Sequence, residues 1–331
     1  MFRKLTCTLL AINVLFGMLV TASPKSEASG ETPDSLKILC IGNSFNQDTM
    51  AYLPPVLREI LPDTELTVGV LHTSSATIGD HIRWNDEDKK YHIFDYWGPE
   101  SDAWSRLPGR KSKSLKEALA LADWDIITMQ GVSSDVLSDA GIEQMTADAE
   151  RLSEWLRRSA QKPFALMWFE WIGRPEGNLS ADQMAVKVRD AAVYAEKKLD
   201  IDAVIPVGDA FQIARGYESL RTIGSAPYGN LLYEDNVHMQ AGLPALLASY
   251  TTAAAILRYY GMDVMYIERS SWVPSNDNVL AINANNEEGK SFTHGFPYGV
   301  TAENVALAKI IAADSVINFD KDQAATAVIS D

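Results

Sequence analysis

The amino-acid sequence predicts an α/β fold in which helices cover both faces of a parallel β-sheet. Short apolar runs of strand length alternate along the 331 residues with longer segments whose apolar residues recur at helical spacing. Hydrophobic residues make up 47% of the chain, which is enough to bury a substantial core. Parallel strands joined by helices need crossover connections, and these are expected to be right-handed.

Five short apolar runs are predicted to form the parallel strands, because strands buried on both faces are apolar almost throughout. These runs are residues 37–41, 65–71, 124–129, 164–169 and 203–206. Further segments have the apolar spacing of helices. These segments are residues 52–61, 114–122, 141–159, 181–199, 207–214, 243–259 and 303–317. The alternation of the two sets is typical of a sheet with helices on both faces.

The amino terminus has the three parts of a secretory signal peptide. Arg3 and Lys4 supply the basic region, residues 9–20 the apolar core, and the small residues up to Ala22 the cleavage site. The apolar core is too short to be read as a membrane-spanning helix. We therefore expect a periplasmic or secreted protein with no membrane insertion once the signal is removed.

The predicted domain organisation follows from changes in composition along the chain. Residues 1–22 form the signal peptide, 23–34 a flexible leader, 35–265 the α/β domain, and 266–331 a carboxyl-terminal appendage packed on that domain. Cys7 lies in the signal peptide, so the mature chain contains Cys40 as its one cysteine. An internal disulfide in the mature chain is therefore excluded.

The charge and the missing motifs exclude several classes of function. A formal net charge of −15 argues against nucleic acid as a partner and against an anionic membrane surface. The sequence has no P-loop, dinucleotide fingerprint, zinc-binding HExxH or paired CxxC motif. No metal and no organic cofactor is therefore expected. The Gly-x-Ser-x-Gly motif of the α/β-hydrolase fold is also absent.

The most informative segment joins the first predicted strand to a polar turn. The apolar run ends at Gly42, and Asn43 and Ser44 follow before the next helical pattern. A serine at such a turn presents its hydroxyl at the carboxyl edge of the sheet, where open α/β folds place their sites. Ser44 is therefore a candidate nucleophile. The alternative is that Ser44 only caps the helix or turns the chain.

A second motif, far downstream, supplies the base that such a serine needs. A serine hydroxyl becomes a good nucleophile when a base takes its proton, and histidine suits that task near neutral pH. His238 follows Asp235 by three residues, so the carboxylate can orient the imidazole and stabilise its charged form. The alternative is a surface loop ahead of the helix at 243–259. The early serine favours the catalytic interpretation.

Several motifs then occur in a fixed order. They are Ile41-Gly42-Asn43-Ser44-Phe45, His81, Thr128-Met129-Gln130, Trp171, the stretch IPVGDAFQIAR at 205–215, and Asp235-x-x-His238. In order and spacing the chain resembles the SGNH/GDSL hydrolase superfamily, and more closely a group of Bacteroidetes domains of unknown function within it. The resemblance implies a flavodoxin-like three-layer α/β/α sandwich with a central parallel sheet. It also implies a catalytic Ser44, His238 and Asp235.

The same resemblance implies an oxyanion hole. Its donors are expected to be the backbone N–H of Ser44, a backbone N–H in the stretch from Ser75 to Gly79, and the Gln130 side chain. Four positions depart from the family pattern. Ser74-Ser75 stands for a glycine pair, Gln130 for the usual asparagine, and Gly131 for a second glutamine. A serine adopts positive φ less readily than glycine.

Five further residues are predicted to contact the substrate. They are His81, Trp84, Trp97, Trp171 and Glu170. The segment 83–112 is rich in aromatic residues without a clear period, so we predict an irregular loop that roofs the active site, with Trp84 or Trp97 stacking on a sugar ring. The alternative for each tryptophan is burial in a small core beneath the loop, and for His81 a role in bracing its loop.

The resemblance thus implies a secreted serine esterase that removes short acyl groups, most simply acetyl, from carbohydrate. A lipase or thioesterase uses the same three residues but needs an exposed apolar groove. A non-catalytic glycan-binding protein is another alternative. A glycoside hydrolase is the last, because it needs two facing carboxylates and Asp48, Asp80 and Glu170 are available near the predicted site.

Overall fold

A computed structural model describes residues 30–90, 93–102, 104–106, 113–221, 238–239, 242–274 and 299–319. Within these ranges the chain forms a seven-stranded sheet with helices on both faces, which confirms the predicted α/β class. The predicted signal peptide and Asp235 lie outside the described residues.

The strands and helices alternate along the chain as the sequence predicts. The strands are β1 (Ser35–Gly42), β2 (Glu65–His72), β3 (Ile93–Trp97), β4 (Ser105–Arg106), β5 (Ile126–Met129), β6 (Ala165–Glu170) and β7 (Ala203–Pro206). The helices are α1 (Ser44–Met50), α2 (Leu53–Ile60), α3 (Ile78–Asp86), α4 (Leu115–Leu119), α5 (Asp139–Ser159), α6 (Ala181–Lys198), α7 (Val207–Arg215), α8 (Glu218–Arg221), α9 (Leu243–Tyr259) and α10 (Ala302–Ile317). Short 3-10 helices occupy Ser133–Leu137 and Val264–Arg269.

The sheet has the strand order β4-β3-β2-β1-β5-β6-β7, in which β3 and β4 are antiparallel to their neighbours and the other strands are parallel. The five parallel strands therefore follow the flavodoxin-like order, and the direction of winding reverses between β1 and β5. Gly42 ends β1 opposite His72 of β2, and Ile41 pairs with Met129 of β5. Ser44 therefore emerges at the carboxyl edge of the sheet, at the switch point.

The described part of segment 83–112 is not an irregular loop, so that prediction is wrong. It contains the end of α3 and the antiparallel strands β3 and β4, which extend the sheet beyond β2. The pattern was hard to recognise because Asp95, in the middle of β3, is buried and bonded to Gln47. A buried polar residue in the middle of a strand breaks the apolar pattern on which strand prediction depends.

Two layers of helices cover the sheet. Helices α2, α9 and α10 pack on one side, whereas α3, α5 and α6 pack together on the other. Helix α9 is buried on nearly every side, as expected for a helix that is apolar all round, and α10 lies against it and against α7. None of the helices in the described ranges is long and apolar enough to cross a membrane.

Candidate active site

The structure brings Ser44 and His238 together. Ser44 is the first residue of α1, immediately after β1, and His238 lies shortly before α9. The Nε2 atom of His238 is 2.9 Å from Ser44 Oγ, and both side chains are partly exposed. An imidazole nitrogen at this distance can accept the serine proton during attack on a carbonyl.

The helix cap belongs to Asn43 and not to Ser44. Asn43 is the N-cap of α1, and its side-chain oxygen accepts a hydrogen bond from Phe45 N–H at 3.1 Å. Since Asn43 satisfies this end of the helix, the Ser44 hydroxyl can face His238. The alternative interpretation of Ser44 as a mere helix cap is therefore not needed to explain the turn.

Asn43 also joins the turn that carries Ser44 to the two neighbouring loops. Its Nδ2 donates to the carbonyl oxygens of Ala76 at 3.2 Å and of Gly131 at 3.1 Å. Ala76 follows β2 and Gly131 follows β5, so one buried amide joins the ends of three adjacent strands. Sequence reasoning used Asn43 only as part of a motif. Its place between a strand and a helix was a signal for capping.

The loop after β2 has the backbone shape that glycine favours. Ala76 N–H donates to Thr73 O at 3.1 Å, and Ser75 has φ +59. A positive φ at the third position of a four-residue turn is the type II pattern, where glycine is preferred. Ser75 therefore adopts a conformation that glycine takes without strain, at a cost of roughly 1 kcal/mol or more. Its neighbour Ala76 is the residue that Asn43 holds.

Gly79, the other predicted backbone donor of this stretch, lies in the first turn of α3. A Cβ at Gly79 would come within 2.7 Å of Asp148 Oδ2, so its α-carbon faces helix α5. The close packing of two helices therefore accounts for this glycine. The hydrogen bond from Asn43 to Ala76 joins the Ser75 turn to the turn that carries Ser44. Of the stretch from Ser75 to Gly79, the Ser75 turn is therefore the part attached to Ser44.

Gln130 is buried directly beneath the end of β1. A Cβ at Gly42 would lie 2.8 Å from Gln130 Oε1 and 3.1 Å from Asn46 Nδ2. Glycine at position 42 therefore makes room for two amides. Within the described part of the chain, neither amide has a hydrogen-bond partner. Buried amides of this kind are high in free energy unless a water or a ligand satisfies them.

His81, in α3, supports the turn that carries Ser44. Its ring is fully buried and hydrogen-bonded to the backbone of Gly42. Burial lowers the pKa of His81 to about 4, against the opposing influence of Asp80 and of the Gly42 bond. His81 is therefore neutral near pH 7, and its hydrogen-bond partner is the backbone of Gly42, two residues before Ser44.

A further buried polar group stands beside His81. His72 Nε2 lies 3.7 Å from Asp95 Oδ2, which accepts a hydrogen bond from Gln47 at 3.0 Å. Gln47 belongs to α1 and His72 to the end of β2, so this network supports the helix that carries Ser44. The side chains of His72 and Asp95 are 3% and 1% exposed.

Glu170 and Trp171 lie at the end of β6 but are buried, so neither offers a surface to a substrate. The Glu170 carboxylate accepts a hydrogen bond from Asp209 N–H at 3.1 Å, at the start of α7. Burial raises its pKa to about 8, although Arg189 and a bond from Gly208 oppose the shift. The Trp171 ring packs against Gly131 in the loop after β5.

The two predicted sugar-stacking residues have different environments. Trp97 is 2% exposed, and it pairs with Val68 in the middle of β2, four residues before His72 at the carboxyl end of that strand. Burial far from Ser44 therefore contradicts a role in binding substrate for Trp97. Trp84 is partly exposed and lies edge-on to His81, with ring centroids 6.2 Å apart. It remains a candidate for contact with substrate.

Arg174 is a charged residue near the site that sequence reasoning missed. Its guanidinium donates to Ser133 Oγ at 2.9 Å, pairs with Glu176 at 3.2 Å and lies 5.8 Å from the centre of the Phe45 ring. Phe45 in turn lies 6.0 Å from the His238 ring. The position of Arg174, just after a strand that ends at the functional edge, was the available signal.

Two of the three carboxylates considered for glycosidic cleavage are committed to other contacts, and the third is buried. Asp80 closes a capping box with Thr77 at the start of α3 and pairs with Arg83. Glu170 holds the start of α7, and Asp48 is buried within α1. No group of three or more potential metal-binding side chains was found among the residues that the structure describes.

Comparison with known proteins agrees with the fold. No family model and no curated protein matches the chain. A DUF4886 family protein from Bacteroides uniformis ATCC 8492 has a similar structure, with a TM-score of 0.63 at 18% identity over 86% of this chain and 96% of that one. At this identity the similarity shows a shared fold.

A second solved structure is less similar. The lipase Lip_vut3 from a goat rumen metagenome has a TM-score of 0.37 at 13% identity, over 62% of this chain and 90% of that one. A score this low carries no argument about activity, so the function has to be inferred from the site itself.

Proposed function

We propose that this protein is a serine esterase in which Ser44 is the nucleophile and His238 the general base. The observation that carries the proposal is the 2.9 Å separation between Ser44 Oγ and His238 Nε2. This pair lies at the switch point of a flavodoxin-like sheet, where α/β folds bind their ligands. Asp235 is proposed to orient the imidazole, as its spacing from His238 predicts.

The proposed reaction has two steps. Ser44 Oγ bonds to the ester carbonyl carbon while His238 takes the hydroxyl proton, and the tetrahedral intermediate then expels the alcohol, which receives that proton. Water next attacks the acyl-serine with His238 again as base, releasing the carboxylic acid and restoring Ser44. The backbone N–H groups of Ser44 and of the Ser75 turn, with Gln130, are the proposed donors to the oxyanion.

Two observations support this choice of donors. Asn43 fixes the Ser75 turn relative to Ser44, and Gln130 has an amide with no other partner in the described residues. A donor aimed at the developing negative charge contributes roughly 3 kcal/mol to the transition state. The buried position of Gln130 implies that its amide must turn toward the substrate before it can act.

The proposed substrate is a short acyl ester, most simply an acetyl group on carbohydrate, met outside the cytoplasm. Support comes from the resemblance in motif order and from the predicted signal peptide. Asn43 and Phe45, the immediate neighbours of Ser44, are both buried, so neither offers an exposed apolar surface to a long acyl chain.

The test is hydrolysis of p-nitrophenyl acetate and butyrate by the mature protein, beside Ser44→Ala, His238→Ala and Asp235→Asn. We expect acetate to be the better substrate and kcat/KM to fall at least about a thousandfold in the first two variants. Reaction of Ser44 with a fluorophosphonate, followed by mass spectrometry, gives a second readout that needs no natural substrate.

The alternatives predict different results. A preference for long acyl chains would indicate a lipase or thioesterase with the same catalytic residues. Equal, feeble hydrolysis by all four proteins, together with no labelling of Ser44, would overturn the proposal. Binding to a glycan array by that inactive protein would then indicate a glycan-binding function.

A further inference from the structure

The short helix α1 connects the two partners of the candidate active site. Ser44 opens this helix, and Tyr52 follows it by two residues, before α2 begins. Tyr52 is 2% exposed, and its hydroxyl accepts a hydrogen bond from Gly242 N–H at 3.2 Å. Gly242 is the residue before α9, four positions after His238. Ser44 thus lies at the start of α1, and Tyr52, just beyond its end, binds the chain four residues after His238.

Gly242 has a backbone conformation that other residues avoid. Its φ is +96 and its ψ is −131, a region open essentially to glycine. A peptide in this conformation has an N–H that regular secondary structure does not satisfy. The Tyr52 hydroxyl supplies the partner, and burial raises the pKa of Tyr52, so the phenol stays protonated at physiological pH.

Tyr52 is itself held rigidly. Its ring packs on Trp272, with centroids 5.2 Å apart, and Trp272 N–H donates to Glu59 of α2 at 2.6 Å. Helices α1 and α9 are also joined by a bond from Ser249 Oγ to Thr49 O at 2.9 Å. The tyrosine hydroxyl is therefore a fixed point from which the position of Gly242 is set.

We propose that Tyr52 is a positioning residue, which holds His238 against Ser44 through its hydrogen bond to Gly242. The inference rests on the proposed esterase function. Tyr52 does not touch the reacting atoms. Its hydroxyl fixes the chain four residues from the base, and a small displacement of a base from its nucleophile is enough to slow proton transfer.

The test compares two buried tyrosines that both contact the Trp272 region. Tyr52→Phe removes the bond to Gly242, whereas Tyr250→Phe removes a hydroxyl that lies 3.5 Å from Trp272 O and has no contact with Gly242. We expect Tyr52→Phe to lower kcat on p-nitrophenyl acetate and the rate of fluorophosphonate labelling at least tenfold, with KM within twofold. Tyr250→Phe should leave all three within twofold.

Each outcome bears on the inference. Three results overturn the proposed role of Tyr52. The first is a wild-type kcat and labelling rate in Tyr52→Phe, and the second is an equal loss in both variants. The third is a rise in the KM of Tyr52→Phe with kcat retained. A wild-type protein that is not labelled at all overturns the esterase proposal as well. Melting temperatures establish that both variants are folded. If Tyr52→Phe does not fold, Gly242→Ala is the second variant: it keeps the N–H but cannot hold φ +96 without strain, so it should move the N–H away from the Tyr52 hydroxyl and reproduce the loss of kcat. A folded Gly242→Ala variant with wild-type kcat overturns the inference.

Discussion

Ser44 and His238 are 194 positions apart in the chain, yet their side-chain atoms Oγ and Nε2 lie 2.9 Å from each other. The fold achieves this by placing the end of β1 and the start of α9 at one edge of the sheet. Helix α1 packs directly on α9, so the helix that begins at Ser44 contacts the helix that follows His238.

Because Ser44 and His238 act as a unit in the proposed reaction, their substitutions should not be additive. We expect Ser44→Ala and His238→Ala each to lower kcat at least about a thousandfold, and the double variant to be no slower than the slower single variant. Steady-state hydrolysis of p-nitrophenyl acetate measures this. Losses that multiply in the double variant would mean that the two side chains act independently.

Asn43 should be the residue near the site whose loss affects both stability and activity. Asn43→Ala removes a helix cap and leaves two carbonyl oxygens, of Ala76 and Gly131, without their donor. We expect the free energy of unfolding to fall by about 2–4 kcal/mol, measured by urea denaturation.

Asn43→Ser is the matched control for this prediction, because a serine caps a helix but cannot reach the two loops. It should recover about 1 kcal/mol of the stability lost in Asn43→Ala. It should not recover the rate of hydrolysis, because a serine does not restore the hydrogen bonds to Ala76 and Gly131. Full recovery of the rate by Asn43→Ser would show that capping alone accounts for the role of Asn43.

The regular part of the fold was predictable from sequence because it depends on local pattern. All five parallel strands were predicted within two residues of their ends, since strands buried on both faces are uninterrupted apolar runs. The long helices α5, α6, α9 and α10 were predicted for the corresponding reason. Each repeats its apolar spacing over many turns.

The rest was not predictable because it depends on contacts between distant residues. The first turns of α1 and α3 carry polar side chains that are buried in networks, such as Gln47 with Asp95, and these look like loops in a sequence. The order of the motifs identified Ser44 and His238 as candidate catalytic residues. It could not distinguish the buried Trp97 from the partly exposed Trp84, since both occur in one aromatic segment.

Replacing Ser75 by glycine should stabilise the protein, because Ser75 has φ +59 and a glycine adopts that conformation without strain. We expect Ser75→Gly to be more stable than Ser74→Gly by about 1 kcal/mol, since Ser74 has no positive φ and gains only flexibility. Thermal denaturation of the two variants gives the comparison. Equal stability would argue that the turn relaxes away from this conformation.

Substitutions of Trp97 and Trp84 should have different effects, the first on stability and the second on substrate binding. Trp97 packs beneath Arg58 and edge-on to Trp104, so Trp97→Ala should cost about 3–5 kcal/mol and leave KM for the folded enzyme unchanged. Trp84→Ala should have little effect on stability. It should raise KM for acetylated glycans if the ring contacts sugar. A changed KM in a folded Trp97 variant would contradict its placement.

Glu170 should make the protein less stable as the pH rises. Burial raises its pKa from 4.5 to about 8, so between these values the folded protein keeps a proton that the unfolded chain releases. The stabilising contribution is complete below pH 4.5 and is lost as the pH approaches 8, by about 3–5 kcal/mol in total. Glu170→Gln is neutral at every pH and should remove this dependence. Urea denaturation across the range measures it.

The interval from pH 6.5 to 8 isolates this effect. Asp135, whose pKa burial raises to about 6, contributes mainly at lower pH, and Asp135→Asn is therefore the control. His81 has the opposite sign: its pKa is lowered from 6.5 to about 4, so its stabilising contribution is complete above pH 6.5 and lost on acidification. Glu170→Gln should thus flatten the stability profile between pH 6.5 and 8, whereas Asp135→Asn should leave it sloping. A wild-type profile already flat in this interval would mean that the Gly208 and Asp209 N–H groups keep Glu170 ionised despite its burial.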